Sequence, residues 1–449
     1  MGLCWRHNDA NGVPIFAKAV SLNEKEETDV MFESHSQIIS AAEELLTKRY
    51  GGSQSLTDWD RLAGSGAAVV LRARVASSPF FPNRSVVVKY IPPTGRLIDE
   101  STLMREVVSY QFTTSLNADV RPGPVLLAYD VEQHLLVISD SGDGDTFAEL
   151  LERHENDVRI GILRNLGEAI GKLHVGTAAK EQDFNILLHR MLVKHPEVQP
   201  MHGFRERLLR LNIGVGITLV EQAGITVPDV VKSFAQEAMR RLVTGQHRAF
   251  TPFDLSPDNI IVADRTEFLD YEWAGFRDAA FDVASVIAGF PQYLFARPVS
   301  DAEADIFIES WVQQVGDMWP NVRNTPRLHA RILTALIGWA FSSVTMMYLG
   351  SSSEAYEELF HKIGTEKATA FDVEEIVKEI AATGDILLGT FVPETSEDAD
   401  LVALLRQDLY ETFEALNRFA QRESDTRFPV VAAFAQAVVD LLTDDESTE

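Results

Sequence analysis

The segment Phe253-Asp254-Leu255-Ser256-Pro257-Asp258-Asn259 constrains this chain more than any other. It runs into the apolar triplet Ile260-Ile261-Val262, and after a polar turn, Ala263 to Glu267, comes Phe268-Leu269-Asp270-Tyr271-Glu272-Trp273. Two short apolar runs around a polar turn predict a β-hairpin. A hairpin sets the residue before its first strand, Asn259, beside the residue after its second, Asp270. Both carry oxygen donors suited to a hard cation such as Mg²⁺. Asp254 lies on the loop leading in, five residues before Asn259, where a general base would stand. A turn built for local Asx hydrogen bonding accounts for any one of these residues. The three together point to a site that holds a hydroxyl against metal-bound phosphates.

The segment resembles the catalytic and metal loops of the aminoglycoside phosphotransferase and choline kinase family, small-molecule kinases with a protein-kinase-like fold. Members typically read His-Gly-Asp-Leu-His-Pro-Gly-Asn and then Ile-Asp-Trp-Glu. Here those stretches read Pro252-Phe253-Asp254-Leu255-Ser256-Pro257-Asp258-Asn259 and Leu269-Asp270-Tyr271-Glu272, with Ala274 to Asp278 and Ala280 to Ala284 continuing the likeness. The resemblance implies an α+β, bilobal fold with a mainly β N-lobe and a mainly α C-lobe, followed by a C-terminal helical extension. It implies Asp254 as catalytic base, Asn259 and Asp270 as Mg²⁺ ligands, and ATP or GTP as phosphoryl donor. The expected acceptor is a small molecule: an aminoglycoside, amino sugar or related amine or polyol. One departure is plain. Pro252-Phe253 replaces the family's His-Gly, whose His helps brace the loop. The competing reading from another class is therefore a kinase-fold pseudoenzyme that binds or regulates.

A nucleotide lobe is expected upstream. Leu62-Ala63-Gly64-Ser65-Gly66 precedes the apolar run Val69 to Val75, and the glycines would let backbone approach phosphates. Next comes the β-branched run Ser85-Val86-Val87-Val88-Lys89-Tyr90. Lys89 is the candidate phosphate-binding lysine, and Glu106, 17 residues later on a helical stretch, is its candidate partner. Each has an ordinary alternative, a snorkelling lysine and a solvated helix residue. The order strand–Lys, helix–Glu, loop–Asp–Asn, metal–Asp is what favours the kinase reading. Leu135 to Ser139 and Asp140 read as a strand leaving the N-lobe for a hinge, with Ser139 at the nucleotide. His174, closing a Leu-His helix, is read as a packing or capping histidine.

Bulk properties narrow the partners. Lys and Arg number 40 against 67 Asp and Glu, for a net charge of −27. That balance opposes nucleic-acid binding, which needs a basic face, and suits an amine-bearing or polyhydroxylated acceptor. Cys4 is the only cysteine, so an intrachain disulfide is excluded and a reducing, cytoplasmic setting is expected. The opening residues turn polar at once and read as no secretory signal. Ile332 to Leu349 carries no charge over 18 residues, but its Ser and Thr content favours a buried helix over a membrane span. The expected organisation is an extension and helix over 1–50, the N-lobe over 51–139, the C-lobe over 140–392, and terminal helices with an acidic tail over 393–449. Thr390 to Asp400 reads as a connector. The helices at about 401–422 and 428–442 could pack on the C-lobe, cap the acceptor cleft or support self-association.

Overall fold

The computed structural model describes residues 32, 34–62, 68–152, 156–292, 298–349, 359–362, 387–389, 396–422 and 425–443. Gly64, Ser65 and Gly66, the first 31 residues and the acidic tail from 444 lie outside them.

Helix α1 (His35–Tyr50) opens the described chain. Ser34 caps it, its hydroxyl accepting from the Gln37 amide while the Gln37 side chain accepts from the Ser34 amide. Its apolar residues Ile38, Ile39, Ala42 and Leu46 are buried against a five-stranded antiparallel sheet. The strands are β1 (Leu56–Arg61), β2 (Val69–Val75), β3 (Ser85–Tyr90), β4 (Leu126–Asp130) and β5 (Leu135–Ser139), in spatial order β1-β2-β3-β5-β4. Central β3 alternates in burial. Val86, Val88 and Tyr90 enter the core beneath α1, while Val87 faces the core shared with α2 (Leu97–Thr114). Period-two geometry puts Lys89 on that second face.

The remainder is helical, with two small ladders set into it. The helices are α3 (Phe147–Glu152), α4 (Asn156–Thr177), α5 (Glu181–Lys194), α6 (Gln199–Gln222), α7 (Asp229–Val243), α8 (Ala280–Ile287), α9 (Asp301–Val315), α10 (Thr325–Leu349), α11 (Ser396–Ala420) and α12 (Phe428–Thr443). One ladder joins β6 (Asp145–Thr146), β8 (Ile260–Val262) and β9 (Thr266–Phe268), and the other pairs β7 (Arg248–Thr251) with β10 (Gly275–Asp278). The bilobal, kinase-like arrangement expected from the sequence is thus the one observed.

Three details differ from or complete the sequence reading. The uncharged stretch at 332–349 belongs to α10, whose most apolar window is 83% buried inside the fold. It packs on α6, α7, α8 and α11. At its crossing with α6 a side chain at Gly216 would place Cβ 2.0 Å from the Phe341 carbonyl oxygen, so only glycine permits that approach. The expected connector ends early, because α11 begins at Ser396. Finally, Phe413, Leu416 and Phe419 of α11 and Val431, Phe434 and Val438 of α12 join the C-lobe core itself. The terminal helices pack on the lobe they follow.

Candidate active site

The β3–α2 face supplies the first contact. Lys89 Nζ lies 2.8 Å from Glu106 Oε1 and 3.2 Å from Asp270 Oδ1. One ammonium thus joins a strand of the sheet, a helix behind it and the loop after β9. Glu106 is fully buried, and its second oxygen, Oε2, has no hydrogen-bond partner.

The β8–β9 hairpin supplies the second. Its turn is tighter than expected, since β9 starts at Thr266 and Ile260 pairs with Phe268. Leu269 still donates to the Asn259 carbonyl at 2.8 Å, so Asn259 and Asp270 flank the same end of the ladder. Asp270 sits at φ +55°, a left-handed conformation that aspartate tolerates better than most residues. The ladder is also tied to the N-lobe edge. Phe268 donates to the Pro122 carbonyl at 2.8 Å, and a Cβ at Gly123 would fall 2.2 Å from the Phe268 carbonyl oxygen. Nothing larger than glycine fits where the chain enters β4.

The loop between β7 and β8 supplies the third. Asp254 N donates to the Pro252 carbonyl at 2.8 Å, closing a three-residue turn with Phe253 at φ +68°. Such a turn is strained for a residue with a side chain, by about 1–3 kcal/mol. The ring holds it. Phe253 is 4% exposed, stacked on Trp339 at 4.8 Å, with the Arg277 guanidinium 4.5 Å from its ring. The bracing expected of a histidine is done here by an aromatic–guanidinium sandwich. Beyond it, the Ser256 hydroxyl and amide both donate to Asp254 Oδ1, at 2.6 and 3.1 Å, which fixes the carboxylate.

Charge in the site is out of balance. Burial alone would lower the pKa of Lys89, but the Asp270 and Glu106 carboxylates outweigh it and hold the ammonium well above its usual range. Burial pushes Glu106 up to about 7 despite Lys89, and the Asp270 and Glu272 charges add to the rise. Burial likewise raises Asp270, against the pull of Lys89, and lifts Asp254 to about 6 against the Ser256 hydrogen bonds. Lys89 alone bonds both Glu106 and Asp270. Among the described residues no three Asp, Glu, His or Cys side chains form a metal cage of their own. Mg²⁺ commonly uses one or two protein oxygens and takes the rest from phosphate and water. The hard oxygens of Asn259 and of Asp270, whose side chain is a third exposed, and the orphaned Glu106 oxygen fit such a cation.

The other sequence candidates fall as follows. Ser139 closes β5, its amide donating to the Val125 carbonyl and its hydroxyl accepting from the Val125 amide, both at 2.8 Å. Its side chain is engaged in pairing β5 to the entry of β4. His174 is fully buried, accepting from Trp311 Nε1 and bonded to Asp282, each at 3.0 Å, a packing role. The Gly64-Ser65-Gly66 turn lies outside the described residues. Sequence reasoning missed Arg277 and Trp339 as braces and Arg205, which donates to the Glu272 carbonyl at 2.9 Å and lies over Trp273 at 4.3 Å. Only Glu272 and Arg277 had a local signal, standing inside the motif segment.

No protein-family model matches the chain, and no curated protein matches it. Solved structures do. The streptomycin–ATP complex of the aminoglycoside phosphotransferase APH(2'')-IIa is similar at TM-score 0.41 and 12% identity, covering 74% of this chain and 97% of that one. Choline kinase from Cryptosporidium parvum is similar at 0.43 and 12%, covering 77% and 97%. The choline kinase LicA from Streptococcus pneumoniae is similar at 0.39 and 14%, covering 78% and 100%. At these values the likeness is one of general architecture, and chemistry has to come from the residues above.

Proposed function

We propose that this chain is a phosphotransferase that moves the γ-phosphate of ATP or GTP onto a hydroxyl of a small molecule, an amino sugar, aminoglycoside or related amine or polyol. The observation that carries this reading is Lys89, bonded at once to Glu106 and to Asp270, with Asp254 on a braced loop in the same lobe as Asp270. Lys89 orients the nucleotide phosphates, and Glu106 holds Lys89 in place. Asn259 and Asp270 are the residues that would hold Mg²⁺, which when bound neutralises charge on the phosphates. Asp254 Oδ1 is fixed by Ser256, leaving Oδ2 to take the acceptor's proton as its oxygen bonds to phosphorus. The bond to the β-phosphate oxygen breaks with its electron pair, and the nucleoside diphosphate departs. Positioning and electrostatics supply most of the acceleration.

The first test is calorimetric titration with ATP and with GTP, each with and without Mg²⁺, on the wild type and on Asp270→Ala. Metal-dependent binding that the variant loses supports the reading and opens a screen of hydroxyl acceptors. If the wild type binds neither nucleotide, the reading fails, and a kinase-fold binding protein takes its place. The Phe253 substitution is the observation that keeps this second reading in view.

A further inference from the structure

The β7–β10 ladder has a second end. Thr251 pairs with Gly275 beside the catalytic loop, and Arg248 pairs with Asp278 at the other extreme, roughly 10 Å away along the strands. There the chain opens a cleft of about 700 Å³ between α7, the start of α10 and the segment before α12, a size typical of small-molecule sites. Its lining is unlike the rest of a chain with a net charge of −27. Arg240, Arg241, Arg327, Arg331 and Arg427 all contribute to it, and Glu237 is the only carboxylate among the lining residues.

The arginines are held in a set way. Glu237 takes Arg240 at 2.6 Å and Arg241 at 2.7 Å. The buried Asp278 takes Arg241 at 2.9 Å and Arg331 at 3.4 Å. Arg427 pairs with Asp425 at 2.7 Å and lies over the Phe234 ring at 4.5 Å. Five guanidiniums therefore meet three carboxylates. Arg327 is exposed and its side chain has no partner among the described residues. His247, 5% exposed, stacks on Trp319 at 4.9 Å and lines the same cleft.

We propose that this cleft binds a small phosphate-bearing molecule, at a site separate from the catalytic one. A carboxylate has two oxygens and fills one guanidinium fork, whereas the three terminal oxygens of a phosphate can accept from two or more, and several guanidiniums line this cleft. Arg327 supplies the free fork, and Arg240 and Arg331 the flanking charge.

The test uses inorganic pyrophosphate in metal-free buffer, titrated calorimetrically into the full chain, Arg327→Glu and Arg240→Gln. Both positions are exposed, so the variants should fold, and circular dichroism checks that. The expected result is saturable binding by the wild type, weakened roughly tenfold in Arg327→Glu and less in Arg240→Gln. No saturable binding overturns the proposal. So does binding that neither variant weakens, since pyrophosphate would then sit at the nucleotide site. A poly-aspartate peptide that binds as tightly as pyrophosphate, with the same dependence on Arg327, overturns the ligand class in favour of an acidic protein segment.

Discussion

The two ends of the β7–β10 ladder carry opposite chemistry on one short scaffold. At the Thr251–Gly275 end the chain gathers Asp254, Asp270 and Glu272, and Lys89 bonds both Glu106 and Asp270. At the Arg248–Asp278 end it gathers arginines around Asp278 and Glu237. A net charge of −27 describes neither. Composition sets the long-range field, whereas the site chemistry is set by which side chains the topology brings together. The acidic end is a place for a cation and the basic end a place for an anion, within one lobe.

Asp254 separates the two ends most sharply. Asp254→Asn should lower kcat by about a thousandfold with nucleotide affinity unchanged, as steady-state kinetics and calorimetry would show, and should leave pyrophosphate binding at the far end untouched. Loss of both would mean that the two ends are not independent. Lys89→Met comes next. It leaves the buried Glu106 without its cation and should cost about 3 kcal/mol of stability in denaturant melts. Adding Glu106→Gln should return much of that stability but none of the nucleotide affinity. A smaller effect is expected at the brace. Phe253→Gly relieves about 1–3 kcal/mol of backbone strain but gives up a ring whose loss costs about 3–5 kcal/mol. The net should be a destabilisation of about 2 kcal/mol, with kcat reduced and nucleotide affinity kept. A stabilised variant would show that the sandwich with Trp339 and Arg277 is not what holds the turn.

The mildest prediction concerns pH. Asp254 is raised to about 6 from an ordinary value near 3.8, and only its carboxylate accepts a proton. A pH–rate profile should therefore fall as pH drops through about 6. Stability runs the other way for this group. The folded state binds the extra proton between those two values, so the contribution of Asp254 grows as pH falls and is lost as pH rises through 6. A profile flat down to pH 5 would remove Asp254 as the base.

The fold was legible wherever pattern is local. The run Ser85 to Tyr90 is a strand with those same ends, and period two alone puts Lys89 on the opposite face from Val88. The helical stretch read around Glu106 extends from Leu97 to Thr114, its acidic first turn, Asp99 and Glu100, being a start signal that an apolar scan passes over. The site was legible as spacing: Lys89 meets Glu106, and Asn259 and Asp270 flank one hairpin. What stayed hidden is contact between distant segments. Nothing near Phe253 announces that Trp339 will lie against its ring, and nothing in α1 says that it roofs the sheet. The arginines of the basic cleft come from three separate stretches of chain, and each alone reads as a solvated helix charge.

The bond from Phe268 to Pro122 has a mechanical meaning. The chain passes from one lobe to the other once, after β5, through Asp140 to Gly144. The glycine-tight junction at Gly123 fastens the edge of the sheet to the metal loop at a second point. It is not the only fastening: Arg105 of α2 also pairs with Glu206 of α6 and donates to the Ala274 carbonyl. The sheet is thus anchored beside the metal loop from its edge and from behind, and any shift that draws Lys89 away from Asp270 has to loosen both anchors.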